Sequence, residues 1–152
     1  MSQGNLYFYK MSSSAIIPTK ATQSSAGYDI YCIDDLHISP HTQIKVNTNI
    51  KIIIPNGYFG KIESRSSLAV KSIIVEAGVI DSDYRGEIIV LLRNHSDNEF
   101  NISKYSRIAQ LIIHKIYDNE QSSYEINDYD KFCNDYDNSN QRNEGGFGSS
   151  GI

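Results

Sequence analysis

Lys51-Ile52-Ile53-Ile54-Pro55-Asn56-Gly57-Tyr58-Phe59-Gly60-Lys61-Ile62 reads as a strand, a turn and a second strand. β-Branched and aromatic residues dominate both flanks. Pro-Asn-Gly between them supplies a preset φ, a side chain that bonds its own backbone, and a residue free to take positive φ. Working outward, the same unit recurs. Residues 6–9, 28–33, 44–46, 50–54, 58–62, 73–79, 88–92 and 108–116 are short apolar segments broken by turn signals such as His95-Ser96-Asp97-Asn98. Strands at a spacing of about 8–12 residues predict an all-β sandwich or barrel. Lys51-Ile52-Ile53-Ile54 and residues 88–92 carry apolar residues on both faces, so both faces are predicted to be covered, one by the second sheet and one by another subunit. Only Ser67-Leu68-Ala69-Val70-Lys71 has a helical pattern, one or two turns after a serine cap.

The 152 residues suffice for one domain with its own core, and 39% hydrophobic content is low enough that part of the length lies outside that core. Apolar runs are too short for a transmembrane helix. Residues 1–15 lack a secretory pattern, so an intracellular protein is expected, and the two Asn-x-Ser triplets carry no glycosylation meaning. Cys32 and Cys133 have no CxxC partner, and the four histidines stand singly, which argues against a zinc site or a disulfide framework. A net charge of −4 without Lys/Arg clusters argues against direct nucleic-acid binding, though a few converging cations could still hold a polyanion.

Three stretches carry chemistry. Asp81-Ser82-Asp83-Tyr84-Arg85-Gly86 joins two apolar strands and is, at minimum, a hairpin connection rich in turn residues. Gly60-Lys61-Ile62-Glu63-Ser64-Arg65-Ser66-Ser67 runs from a strand into a helix start, where backbone N–H groups, Arg65 and two hydroxyls make an anion site; the plainer reading is an ordinary capped helix with a surface arginine. Gly145-Gly146-Phe147-Gly148-Ser149-Ser150-Gly151 has the composition of a linker, yet a lone phenylalanine in such a tail has nothing in solvent to pack on.

In order along the chain, Ala26-Gly27-Tyr28-Asp29-Ile30-Tyr31, residues 60–69, Ala77-Gly78-Val79-Ile80-Asp81-Ser82-Asp83-Tyr84-Arg85-Gly86, Arg107-Ile108-Ala109-Gln110-Leu111 and residues 142–151 resemble the five motifs of the trimeric dUTP pyrophosphatases (dUTPases). The resemblance covers 15–117 and the last residues of the chain. Its departures are Ser67 for a common glycine, Tyr105-Ser106 for Gly-Asp, Asn143 for glycine, and a longer linker. It implies a distorted jelly-roll-like β-barrel subunit with one short helix and a mobile glycine-rich C-terminal arm. The expected organisation is an N-terminal extension at 1–14, the barrel at 15–117, an acidic polar linker at 118–141, and a motif at 142–152 that closes over the active site.

The resemblance also implies hydrolysis of dUTP to dUMP and pyrophosphate with Mg2+, in a homotrimer whose sites draw on several chains. That activity would limit uracil incorporation into DNA and supply dUMP for dTMP synthesis. Asp81 would be the general base, acting on water that attacks the α-phosphorus. Arg65, Ser66, Ser67, Gln110 and Arg142 would hold the phosphates. Tyr84 would lie against the deoxyribose and exclude a 2′-hydroxyl. Backbone around Gly78, Val79, Ile80 and Ile89 would read uracil, with Phe147 stacking on the base and Gly148 and Ser149 beside the ligand. Mg2+ would be held by the triphosphate and water without direct protein ligands, with Asp29 near its water shell. The alternatives are a dCTP deaminase-like relative, which would release ammonia from dCTP, and a non-catalytic binding protein of the same fold, which would show erosion of Asp81, Arg65 or the tail.

Overall fold

The structure, a computed structural model, describes residues 4–117. Among them are ten strands and one helix: β1 (Tyr7–Lys10), β2 (Gly27–Tyr31), β3 (Leu36–Ile38), β4 (Gln43–Ile53), β5 (Tyr58–Glu63), α1 (Ser66–Ala69), β6 (Ile73–Glu76), β7 (Val79–Ile80), β8 (Glu87–Asn94), β9 (Phe100–Ile102) and β10 (Arg107–Lys115). They form a sheet in the order β1-β4-β8-β6, a second in the order β2-β10-β5-β7, and a small β3-β9 ladder. Every pairing is antiparallel. One core cluster collects inward residues from all three sheets, among them Ile30, Ile38, Val46, Ile62, Val90, Leu92, Ile102 and Leu111. This is the expected all-β, jelly-roll-like barrel, and each fully buried Ile or Leu contributes about 1.5–3 kcal/mol to holding it shut.

Several elements differ from the sequence expectation. Residues 44–46 and 50–53 belong to the single strand β4, which crosses a bulge between Asn47 and Lys51 and ends just before Ile54. Residues 73–79 break into β6 and β7, because Ala77 (φ 62°) and Gly78 (φ 110°) turn the chain out of extended conformation. The three-residue strands β3 and β9 are too short to carry a periodic signal. The helix begins at Ser66 with Arg65 as its N-cap residue, and no side chain caps it. The Arg65 side chain is drawn elsewhere, as described below.

The rows expected to be apolar on both faces are covered on one. Ile88, Val90 and Leu92 are buried, while Ile89 is 42% exposed and Ile53 47%. A single chain leaves that outer row open. Cys32 is buried in the core, where desolvation raises its thiol pKa and its S–H points toward the carbonyls of Ser103 and Ser106. Among the described residues no buried side-chain nitrogen or oxygen lacks a hydrogen-bond partner. The expectations for 118–141 and 142–152 lie outside the described residues.

Candidate active site

Two cavities flank β5. The first, about 470 Å3, opens where β2, β10 and the start of α1 meet, and its lining includes Gly27, Asp29, Arg65, Ser66, Ser67, Arg107 and Gln110. A bulge in β10 explains how Arg107 and Gln110 come to share it. Strict alternation would put residues 107 and 110 on opposite faces. The register with β2 instead shifts between Arg107 and Ala109. Ile108 and Ala109 are therefore both fully buried, and residues 107 and 110 both face the cleft.

Asp29, paired with Gln110 across the β2–β10 ladder, organises the charges. Arg65 Nε–H donates to its Oδ1 (3.0 Å) and Arg107 Nη1–H to its Oδ2 (3.3 Å). Arg65 Nη1–H also donates to the Arg107 carbonyl (3.3 Å). With side-chain exposures of 13% for Asp29 and 22% for Arg65, this pair is shielded enough to fix the guanidinium's direction. Gln110 Nε2–H donates to the Ser64 carbonyl (3.0 Å), which anchors the amide at the cleft wall. Gly27 makes room for it: a Cβ there would stand 2.7 Å from Gln110 Oε1 and 3.1 Å from its Cβ. The cleft thus presents two arginines, the turn that opens α1, two hydroxyls and one amide, with Asp29 already neutralised. That donor set suits a polyphosphate.

The second cavity, about 170 Å3, is lined by Ile62, Gly78, Val79, Ile80, Tyr84, Glu87, Ile88 and Ile89. Tyr84 and Glu87 are its polar side chains, and the rest of its lining offers backbone groups and apolar side chains. Ile62 N–H donates to the Gly78 carbonyl (2.8 Å), and a Cβ on Gly78 would stand 2.9 Å from Ile62 Cβ and 3.0 Å from its carbonyl oxygen. Only glycine accepts both the positive φ and that approach. Tyr84 folds back over Gly86, where a Cβ would overlap the phenol, and its hydroxyl donates to the Glu87 carbonyl (3.0 Å).

Asp81 sits just beyond β7, exposed and lining neither cavity. Its carbonyl accepts from Tyr84 N–H (3.1 Å), but its carboxylate has no ion pair or hydrogen bond among the described residues. The nearby Arg85 guanidinium is turned to the carbonyls of Ser82 and Tyr84 instead. One chain therefore brings Asp29, Arg65, Ser66, Ser67 and Gln110 together in the cleft. It brings Gly78, Val79, Ile80, Tyr84 and Ile89 together in the slot. It does not join these groups to each other or to Asp81. Arg142, Phe147, Gly148 and Ser149 lie outside the described residues. Sequence reasoning assigned no role to Arg107, Gly86 or Glu87. Arg107 carried a signal in its spacing to Gln110, but only the bulge turns that spacing into a shared cavity.

An all-β barrel with an anion cleft on one side of a strand and a backbone-lined slot on the other has the makings of a nucleotide hydrolase. The dUTPase family model matches residues 13–151. The deoxyuridine 5'-triphosphate nucleotidohydrolase of Saccharomyces cerevisiae is 44% identical, covering 92% of this chain and 90% of its own. The Candida albicans enzyme of that name is 41% identical over 97% and 88%, and that of fowlpox virus 43% over 95% of each. Among solved structures, a Staphylococcus bacteriophage 80alpha dUTPase G164S mutant with dUpNHpp is similar at a TM-score of 0.78 and 26% identity, covering 97% of this chain and 99% of that one. A phage phi11 dUTPase whose structure describes coordination of a structural Mg(II) ion has the same fold, at a TM-score of 0.74 and 23% identity, over 81% and 98%. This chain belongs to the dUTPase family, hydrolases that convert dUTP to dUMP.

Proposed function

We propose that this chain cleaves dUTP to dUMP and pyrophosphate at sites built jointly by the copies of a homotrimer, with Mg2+ carried by the triphosphate. The observation behind this is the separation of the half-sites. Arg65 and Tyr84 line different cavities of one chain, and Asp81 lines neither. A nucleotide must have phosphates, sugar and base held at once. The open apolar row around Ile53 and Ile89 is the kind of surface that another copy covers.

In the completed site Asp81 is the general base. Its carboxylate is unpaired and therefore able to take a proton from water aligned on the α-phosphorus. Arg65, Ser66, Ser67 and Gln110 hold the phosphate oxygens, and their positions are set before substrate arrives. Tyr84 packs on the deoxyribose, so a 2′-hydroxyl is refused by shape. Backbone near Gly78, Val79, Ile80 and Ile89 pairs with uracil's edge, and cytosine would leave those groups unpaired. Arg142, Phe147, Gly148 and Ser149 are assigned to ligand binding by the same family resemblance.

Among the described residues no three His, Cys, Asp or Glu side chains cluster as a metal cage. The donor set at the cleft fits a cation that arrives on the nucleotide and keeps its waters, with Asp29 reaching it through water at most. Bound Mg2+ would neutralise charge on the phosphate oxygens. The protein's place is inside the cell, limiting uracil in DNA and supplying dUMP for dTMP synthesis.

Mixing two inactive variants tests the shared site. Arg65→Ala and Asp81→Asn, refolded together, should regain pyrophosphate release from dUTP if the site joins these residues from different chains. Activity no greater than either variant alone would return both residues to a single chain's site. Running dCTP, dTTP and UTP beside dUTP, with ammonia measured for dCTP, separates this activity from deamination.

A further inference from the structure

The outer face of β4 and β8 contains a clamp that the mechanism above does not use. Between Asn47, opposite Ile89, and Lys51, opposite Glu87, three residues of β4 face only Ile88. Two of them have no ladder position, and Asn49 takes φ 54°. Such a bulge leaves backbone groups that side chains must satisfy. Thr48 is one: its hydroxyl donates to the Ile88 carbonyl (2.7 Å) and accepts from Ile50 N–H (3.2 Å). Glu87 is the other. Its Oε1 accepts from Asn49 N–H (2.7 Å) and its Oε2 from Asn47 Nδ2–H (3.0 Å).

The same residue touches the slot. Glu87 lines it together with Tyr84 and Ile89, and its backbone carbonyl accepts the Tyr84 hydroxyl at 3.0 Å. The carboxylate thus ties the bulge to the root of β8, while the carbonyl ties that root to the ring of Tyr84. No other carboxylate touches the bulge among the described residues.

We propose that Glu87 is a positioning residue for sugar selection: its carboxylate holds the β4 bulge against β8, and so fixes the carbonyl on which Tyr84 rests. This rests on the reading of Tyr84 as the group that refuses a 2′-hydroxyl. With Glu87→Ala the Asn49 amide loses its acceptor, the start of β8 relaxes, and the Tyr84 ring loses its fixed tilt. Gln at this position can still accept from Asn49 N–H, while Asn47 turns its amide to meet the new donor.

The test compares kcat/KM for dUTP and UTP in the parent, Glu87→Ala, Glu87→Gln and Tyr84→Ala. Circular dichroism and Tm confirm that each variant is folded, and NMR of tyrosine-labelled protein follows the Tyr84 ring signal, assigned by its loss in Tyr84→Phe. Glu87→Ala should shift the UTP-to-dUTP ratio upward by roughly tenfold, the order expected for losing hydrogen bonds to a charged group. It should also move the Tyr84 signal, and Glu87→Gln should recover most of both effects. If Tyr84→Ala admits UTP while Glu87→Ala keeps parental discrimination and an unmoved Tyr84 signal, the clamp is rejected and the sugar reading stands. Should Tyr84→Ala still exclude UTP, the sugar reading fails; the clamp then falls too as a selector, whatever the ring signal does.

Discussion

The arginine cleft and the Tyr84 slot lie on either side of β5 but are built by opposite means. In the cleft, side chains position side chains: Asp29 is shared between Arg65 and Arg107, and the arginines keep their direction because a half-buried carboxylate demands it. In the slot, the backbone is the instrument. Gly78 at φ 110° brings β7 against Ile62, and Tyr84 is held by a carbonyl. The two aspartates sharpen the contrast. Asp29 is spent on neutralising cations, whereas Asp81 is exposed and unpaired among the described residues. A bound polyanion needs charges aimed before it arrives, while reading a base needs fixed N–H and C=O groups. A proton acceptor needs a carboxylate that nothing else claims.

That comparison breaks most sharply at the unpaired carboxylate. Asp81→Asn should still bind dUTP but lower kcat by roughly 10²–10⁴-fold, measured by pyrophosphate release; near-parental turnover would remove Asp81 as the base. In the slot, Gly78→Ala forces a side chain into positive φ and against Ile62. Strain on the order of 1–3 kcal/mol should appear as a lower Tm and as weaker discrimination of dUTP from dCTP; an unchanged Tm and specificity would show that β7 tolerates the shift. The smallest effect is expected at Asp29→Asn, which keeps the shape of the side chain but loosens its grip on both arginines. KM for dUTP should rise about tenfold with kcat changed less, since the loss is of aim in binding rather than of a reacting group. A fall in kcat to the level of Asp81→Asn would mean that the two carboxylates are not divided as described.

Much of this was open to reading along the chain. The strand–turn–strand unit at 51–62 and its repeats carried the all-β architecture because apolar alternation and Pro-Asn-Gly chemistry are local. Arg65 with its serines, and Asp81 in its hairpin, stood out for the same reason. The helix cap was misread as a serine cap because a serine before an apolar run usually caps, whereas here the capping position falls to Arg65 and the serines face the cleft. The split of 73–79 was hidden in Ala77-Gly78, since alanine gives no warning of φ 62°.

The sequence by itself determined which residues could bear charge, take positive φ or fill a core, since those are properties of single side chains and their near neighbours. Only the tertiary structure decided which of them meet. The bulges in β4 and β10 lie in how one strand opposes another: the single extra residue in β10 moves every later side chain to the other face, while the two extra residues in β4 keep the alternation and free backbone groups instead. That is why Arg107 joins Gln110 in one cleft and why Glu87 reaches the Asn49 amide.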